Sequence, residues 1–224
     1  MFSVIFEVHP GEGCTDAYLE HGKLLKPELE NIDGFIDNER FTSRTRPGWM
    51  LSHSTWRDEK SVIRWRTHAG HHVVQEKGRG EVFSDYHLRV GEVTADTHAP
   101  HGHAVREQRF DATEIGGAKV CQLCETEPRA GQSLPDGLVG ALGLASAADG
   151  LVASDVFDSI YNPGKVMLLL SWVDPDVASA FEPVAPAEAE SMRIRTVRVI
   201  RDYGLFDRRE SPQYYPPVDR REKR

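Results

Sequence analysis

The sequence predicts an α+β protein made of two tandem ferredoxin-like units, each ordered β-α-β-β-α-β, whose antiparallel sheets pack against each other. The first observation is the order of strand, turn, strand, helix and strand signals over residues 33–94. The second is that these signals recur at a constant spacing of 116 residues. The recurring positions are Asp33-Gly34 with Asp149-Gly150, Pro47-Gly48 with Pro163-Gly164, and Trp56 with Trp172. Such a repeat fixes the architecture, and the second sheet is the simplest cover for the helix-free face of the first.

The first strand and helix come before this repeated stretch. Residues 2–8 are a β-branched and aromatic run that ends at a Pro-Gly turn, which predicts a buried strand. Thr15 is suited to cap a helix that follows it, and Pro27 is expected to kink that helix. The apolar face of that helix is Tyr18, Gly22, Leu25, Leu29 and Ile32.

A hairpin and a helix follow. Residues 35–43 and 49–56 are predicted as strands joined through Pro47-Gly48. Asp58 is expected to cap the next helix, with Val62 and Trp65 on its inner face. Gly70 is expected to interrupt this helix, so that residues 71–78 form a separate short one. Residues 81–93 are predicted as the last strand of the unit.

The second unit is a degenerate copy of the first. Val120 is predicted to be the counterpart of Val4, small residues over 133–148 replace the first helix, and Phe181 stands at the position of Trp65. The predicted division is an N-terminal domain 1–96, a linker 97–116, a C-terminal domain 117–204 and an extended tail 205–224 laid on the body or on a partner.

Composition excludes several classes of protein. A net charge of −8 argues against a nucleic-acid or anionic-membrane partner. The sequence has no apolar run of membrane-spanning length and no signal-peptide pattern, and three cysteines do not form a disulfide framework. We therefore expect a cytoplasmic protein. The absence of a phosphate loop or dinucleotide fingerprint argues against a tightly bound nucleotide.

Several short motifs together resemble the antibiotic biosynthesis monooxygenase family. They are Ile32-Asp33-Gly34-Phe35, Glu39-Arg40-Phe41, residues 51–58, Trp65-Arg66, His72 with Gln75 and Gly78, and residues 83–86. The resemblance covers residues 1–94 and, as an echo, 117–203. It implies a dimeric α+β barrel with a pocket between each sheet and its helices. Members include cofactor-independent oxygenases of phenols and quinones, and haem-degrading enzymes.

The resemblance implies candidate site residues. Trp65 matches a pocket tryptophan of the family monooxygenases; core packing is the alternative. His72, seven residues later, is the candidate catalytic base that would ionise a phenol; a solvated histidine is the alternative. His53, His71, Gln75 and Tyr86 are candidate substrate-binding residues. Ser52 and His53 are neighbours in a strand, so only one of them can face the pocket.

Cofactor and partner expectations follow. No metal is predicted, because His68 and His72 lack a carboxylate or cysteine partner at a suitable spacing. Haem is possible through His71 or His72, although the residue ten after Trp65 is Gln75. The expected function is oxidation of an aromatic or polycyclic small molecule, and a homodimer is the candidate assembly of the enzyme. The alternatives are a haem-binding or haem-degrading protein and a non-catalytic ligand-binding protein.

Overall fold

The computed structural model describes residues 1–135, 137–143 and 149–219, in which eight strands close into one barrel. The strand order around the barrel is β1-β3-β2-β6-β7-β5-β8-β4, and all neighbouring strands are antiparallel. The two four-stranded halves join through β2 with β6 and through β4 with β8. The predicted α+β fold class is confirmed.

The N-terminal half has the predicted order of elements. Its strands are β1 (Phe2–Pro10), β2 (Phe35–Ser43), β3 (Met50–Trp56) and β4 (Phe83–Asp96). Its helices are α1 (Thr15–Glu30), α2 (Glu59–Arg66) and α3 (Ala69–Lys77), and a π-helical turn (Gly78–Val82) precedes β4. Asp58 caps α2 as predicted, since its carboxylate accepts from the Ser61 amide at 2.8 Å.

Two details of the helices differ from prediction. The break after α2 falls at Thr67 and His68, not at Gly70, which lies inside α3. α2 ends with Thr67 as its C-cap because the next residue, His68, has an extended backbone (φ −63°, ψ 131°) that cannot continue the helix. The N-cap residue of α1 is Cys14, and not Thr15, which is the first residue of the helix.

The C-terminal half repeats the strands with shorter helices. Its elements are β5 (Val120–Pro128), α4 (Leu138–Ala141), β6 (Leu151–Ser159), β7 (Val166–Trp172), α5 (Pro175–Ala180) and β8 (Ala189–Gly204). Phe2 pairs with Trp56, whereas Val120 pairs with Trp172, so Val120 is the counterpart of Phe2 and not of Val4. The two-residue difference keeps the same face outward, because side chains alternate along a strand. Residues 144–148 of the small-residue stretch and 220–224 of the tail lie outside the described residues.

Matching hydrogen bonds where the halves meet reveal the repeat in three dimensions. The Ser43 hydroxyl donates to Asp155 at 2.8 Å, and the Ser159 hydroxyl donates to Glu39 at 2.5 Å. Each serine and each carboxylate stands 116 residues from its counterpart. The duplicated sequence therefore forms a pseudo-twofold junction within one chain.

The inside of the barrel is an apolar core with buried charges. The apolar part includes Ile5, Phe41, Leu51, Phe157 and Met167, all fully buried. Arg89, 2% exposed, donates to Glu7 and to the Ser171 hydroxyl, the latter at 2.7 Å. Burial acts to raise the pKa of Glu7, but Arg89 and Arg46 more than offset this and hold it below its usual value.

The outer faces of the two half-sheets differ. In the C-terminal half the face is packed by Leu138, Leu142 and Trp172 among other residues, and the Trp172 indole donates to Gln122 at 2.9 Å. In the N-terminal half a cavity lies between the sheet and its helices. Among the described residues, no helix is long and apolar enough to cross a membrane.

Candidate functional site

A cavity of about 190 Å³ lies between the outer face of the N-terminal half-sheet and the helices that cover it. One row of paired residues crosses its floor, from Arg40 on β2 through Ser52 and Phe6 to Leu88 on β4. The walls and roof come from α1, α2, α3, the π-helical turn, β4, β8 and the chain after β8. They include Tyr18, His21, Gly22, Leu25, Leu29, Trp65, His71, Val74, Gln75, Arg79, Phe83, Tyr86, Tyr203, Arg208, Gln213 and Tyr215.

Trp65 and His71 form a stacked pair in the cavity wall. Their ring centroids are 4.2 Å apart and the rings are inclined by 11°. Because the chain turns at Thr67 and His68, α3 does not continue the face of α2. It presents His71, and not His72, beside the indole.

The hydrogen bond of His71 fixes its tautomer. Nδ1 lies 2.9 Å from the Trp65 carbonyl oxygen, which can only accept, so Nδ1 carries the proton and Nε2 the lone pair. Burial lowers the pKa of His71 to about 4. The imidazole is therefore neutral near pH 7 and available as an acceptor for a ligand proton.

We expect the His71→Asn variant to lose stability less steeply than the wild type between pH 6.5 and 4. Above pH 6.5 the imidazole is neutral in both the folded and the unfolded chain. Below it, the unfolded chain takes up a proton that folded His71 accepts only near pH 4, which costs up to about 1.4 kcal/mol per pH unit. Urea unfolding at several pH values measures the slope. If the stability of the variant depends on pH as steeply as that of the wild type, the lowered pKa of His71 is contradicted. A weaker pH dependence should remain in the variant, because burial also lowers the pKa of His53.

Tyr86 is the centre of a cationic cluster at the β4 side of the cavity. Its phenol oxygen lies 2.8 Å from Nη1 of Arg79 and 2.6 Å from Nη1 of Arg208. Guanidinium groups only donate, so the oxygen accepts twice and the phenol proton is left to donate elsewhere. Burial and the neighbouring Arg79 lower the pKa of Arg208 below its usual value. Two guanidiniums and one hydroxyl donor thus converge in a form suited to an anion.

The chain after β8 completes this side of the cavity. The Tyr215 hydroxyl lies 2.9 Å from Oε1 of Gln75 and 3.0 Å from Nδ1 of His72. The side-chain amide of Gln213 donates to the Arg66 carbonyl at 3.2 Å. The described part of the tail, residues 205–219, therefore lies on the N-terminal half and brings Arg208, Gln213 and Tyr215 to the cavity.

Arg40 forms a second cationic centre, at the β2 side. Its guanidinium packs against Gly22 of α1, where an added Cβ would lie 2.6 Å from Nη2. Any larger residue at position 22 would displace the guanidinium. Tyr18, a partner of Arg40, has a pKa that burial raises above its usual value, so the phenol is neutral.

Four of the six predicted site residues line the cavity: Trp65, His71, Gln75 and Tyr86. His72 does not; it is exposed, and its ring stacks on Tyr215 with centroids 5.5 Å apart. His53 faces the inside of the barrel, where Nε2 lies 2.7 Å from the Ser3 hydroxyl. Ser52, its neighbour, faces the cavity because side chains alternate along β3.

Sequence reasoning missed Arg40, Arg79 and Arg208. A usable signal existed for Arg40, since alternation from the buried Phe41 places Asn38 and Arg40 on the face that the helices should cover. Arg79 lies between two glycines, and Arg208 lies in an irregular tail. No periodicity points to either of them.

The cavity does not fit a haem. Its volume is below the range of about 300–1,000 Å³ typical of pockets for drug-sized ligands, and a tetrapyrrole is larger still. Of the two candidate ligands, His72 faces away from the cavity and the ring of His71 lies stacked against the Trp65 indole. Within the described residues, no group of three or more His, Cys, Asp or Glu side chains is placed to hold a metal ion.

Comparisons with known proteins match this architecture. The sequence profile of the antibiotic biosynthesis monooxygenase family matches residues 1–77. A jasmonate monooxygenase of Pyricularia oryzae is 47% identical over 223 residues, covering 97% of this chain and 100% of that protein. The structure of an aldoxime dehydratase in complex with butyraldoxime aligns with a TM-score of 0.56 and 12% identity over 89% of this chain and 79% of that chain. An anthrone oxidase-like protein aligns over 95% of this chain and 96% of that chain, with a TM-score of 0.33 and 13% identity. The aldoxime dehydratase supports the fold alone.

Proposed function

The chain belongs to the antibiotic biosynthesis monooxygenase family, and we propose that it adds one oxygen atom to a small apolar carboxylate of the jasmonate type. The observation that carries the proposal is the charge of the cavity. Arg40, Arg79 and Arg208 line it, and no aspartate or glutamate among the described residues does. The whole chain, in contrast, has a net charge of −8. A cavity of opposite charge to its own protein is suited to an anionic ligand.

The contacts of two of these arginines support the same ligand class. Arg79 is 5% exposed, and its hydrogen bonds go to the Tyr86 phenol and to backbone carbonyls. Arg208 donates to phenol, hydroxyl and carbonyl oxygens. Neither hydrogen-bonds a carboxylate in the described chain. A ligand carboxylate would supply the absent counter-charge and accept bidentate bonds.

The size and apolar walls of the cavity limit the rest of the ligand. Val4, Phe6, Leu29 and Leu88 surround its middle, beside the Trp65 indole. A volume of about 190 Å³ is suited to a ligand with one small ring and a short chain better than to a polycyclic molecule. The jasmonate substrate in the name of the Pyricularia relative is such a carboxylate.

A hydroxy-aromatic substrate is the second candidate. The observation that favours it is the Trp65–His71 stack, which offers an aromatic face next to a neutral imidazole. An imidazole with a free lone pair can accept a hydrogen bond from a phenol, which raises the electron density on the phenol oxygen for reaction with oxygen.

The test is incubation of the full-length protein with jasmonate, or with a hydroxy-aromatic, under labelled dioxygen. Reduction of the second oxygen atom to water consumes two electrons, so the assay is run with and without an added reductant. Mass spectrometry should show a product that has gained one labelled oxygen atom. If jasmonate gives no such product and a hydroxy-aromatic does, the second candidate replaces the first.

The adjacent histidines supply a matched pair of variants. We expect His71→Asn to lower turnover about 10- to 100-fold, because its imidazole lines the cavity against Trp65. His72→Asn should retain most of the wild-type activity, because His72 faces the tail outside the cavity. Equal losses in the two variants would contradict the placement of the acceptor at His71.

A further inference from the structure

The floor of the cavity changes character across the sheet. On β2 and β3 the floor residues are polar: Asn38, Arg40, Ser52 and Ser54. On β1 and in the paired row of β4 they are apolar: Val4, Phe6 and Leu88. Beyond them lies the cluster of Tyr86 with Arg79 and Arg208. The cavity thus has two polar ends with an apolar middle.

The two ends are a definite distance apart. β2 and β4 are separated by β1 and β3, which places them three strand spacings, or about 14 Å, from each other. Side chains from both ends reach inward over the floor and shorten this gap. A ligand of one ring with a short acidic arm can therefore contact both ends at once.

The Arg40 end carries donors that the protein uses only in part. The Nε atom of Arg40 is buried and has no hydrogen-bond partner within the described chain. The guanidinium is held between the sheet and α1, where Gly22 leaves the room that it occupies. The Asn38 amide donates to the Ser52 hydroxyl oxygen at 3.1 Å and to the His53 carbonyl at 2.9 Å, which fixes the patch beside it. A buried donor without a partner is costly unless a ligand satisfies the group that carries it.

We propose that the Arg40 end is a second ligand subsite, which takes an uncharged oxygen acceptor, a ketone or a hydroxyl, on the ring of the carboxylate bound at the Tyr86 end. The inference rests on the proposed function, because it takes the Tyr86 end as the carboxylate site. The Tyr86 end, with two converging guanidiniums, suits the full negative charge. The Arg40 end, with one guanidinium beside hydroxyl and amide groups, suits a dipole. The protein would accordingly select oxo- or hydroxy-substituted acids over plain alkyl acids.

The experiment compares jasmonate with the analogue in which a methylene replaces the ring ketone. Binding to the full-length protein is measured by calorimetry, and by tryptophan fluorescence, which the Trp65 wall makes sensitive to the cavity. We expect wild-type protein to bind jasmonate about 10-fold more tightly than the analogue, since one charge-assisted hydrogen bond is lost. In Arg40→Met this preference should disappear, and affinity for the analogue should stay near the wild-type value. Arg57→Met, an exposed arginine paired with Asp33, is the matched control and should keep the preference.

The outcomes separate this inference from the proposed function. If wild-type protein binds both acids equally, the second subsite is refuted while the carboxylate site stands. If it binds neither acid, the proposed function itself fails. Equal weakening of both acids in Arg40→Met overturns the assignment, because Arg40 would then hold the carboxylate. If Arg40→Met does not fold, Arg40→Lys decides the matter: it keeps the charge but lacks the planar fork, so the ketone preference should fall.

Discussion

Replacing Arg79 by glutamine is expected to weaken the binding of jasmonate about 10- to 100-fold, and replacing Arg208 by glutamine should do the same. Each guanidinium donates to the Tyr86 oxygen and lines the cavity where we propose that the ligand carboxylate binds. Loss of a hydrogen bond to a charged group costs about 1.5–3 kcal/mol, which corresponds to this range of affinity. Calorimetric titration of each variant measures the change.

The methyl ester of jasmonate and the Arg209→Gln variant serve as controls. The ester has no negative charge, so the Arg79 and Arg208 variants should bind it nearly as well as the wild type does. Arg209 is adjacent in sequence but is paired with Asp207 outside the cavity. Its replacement should leave the affinity for jasmonate unchanged. If Arg79→Gln binds the ester and the acid equally less tightly than the wild type does, Arg79 holds the tail in place through its bond to the Pro216 carbonyl and does not bind the carboxylate.

Replacing Arg89 by methionine is expected to destabilise the folded protein by about 3–5 kcal/mol, a large part of the stability of an ordinary domain. Arg89 is buried inside the barrel with Glu7, which is 5% exposed. Removal of the guanidinium leaves the buried Glu7 carboxylate with one fewer cation. The free energy needed to desolvate this carboxylate is then no longer offset by Arg89, which destabilises the folded state. Urea or thermal unfolding measures the difference.

A double variant tests the cause of this loss. Glu7→Leu combined with Arg89→Met removes both charges and should recover much of the stability that Arg89→Met loses, because no unpaired buried charge remains. Lys23→Met, which breaks the exposed pair with Glu20, should leave the stability nearly unchanged, because solvent screens this pair. A double variant as unstable as Arg89→Met would show that packing, and not charge, is responsible.

Much of the fold was predictable because local signals were strong and were repeated. The Pro-Gly turns, the Asp58 cap and the alternation of β2 and β3 each predict the observed element. The enzyme class, an oxidoreductase of the monooxygenase type, was also predictable, through the motifs of residues 32–86. Trp65, Gln75 and Tyr86 belong to those motifs, and they line the cavity together with His71.

The helix break was the error with the largest consequence. Glycine at position 70 was the obvious breaker, but α2 ends earlier, because the backbone of His68 is extended. His72 follows Trp65 by seven residues and shares its face only if one helix continues through both. The break at His68 gives α3 a different orientation, and His71 lines the cavity instead. Both positions are histidines, so residue type alone could not show which of the two lines the cavity.

The amino-acid order by itself determined the duplicated strand plan, the family and the half of the chain that contains the cavity, because these depend on short-range turns and alternation. Only the tertiary structure brought Arg40, Arg79 and Arg208 around one space, since they lie on a strand, a π-helical turn and a tail up to 168 residues apart. The tertiary structure also decided that Ser52 faces the cavity and that His53 faces the interior of the barrel. The physical reason is that the closure of the barrel sets which face of each strand is inside, and no local signal encodes that closure.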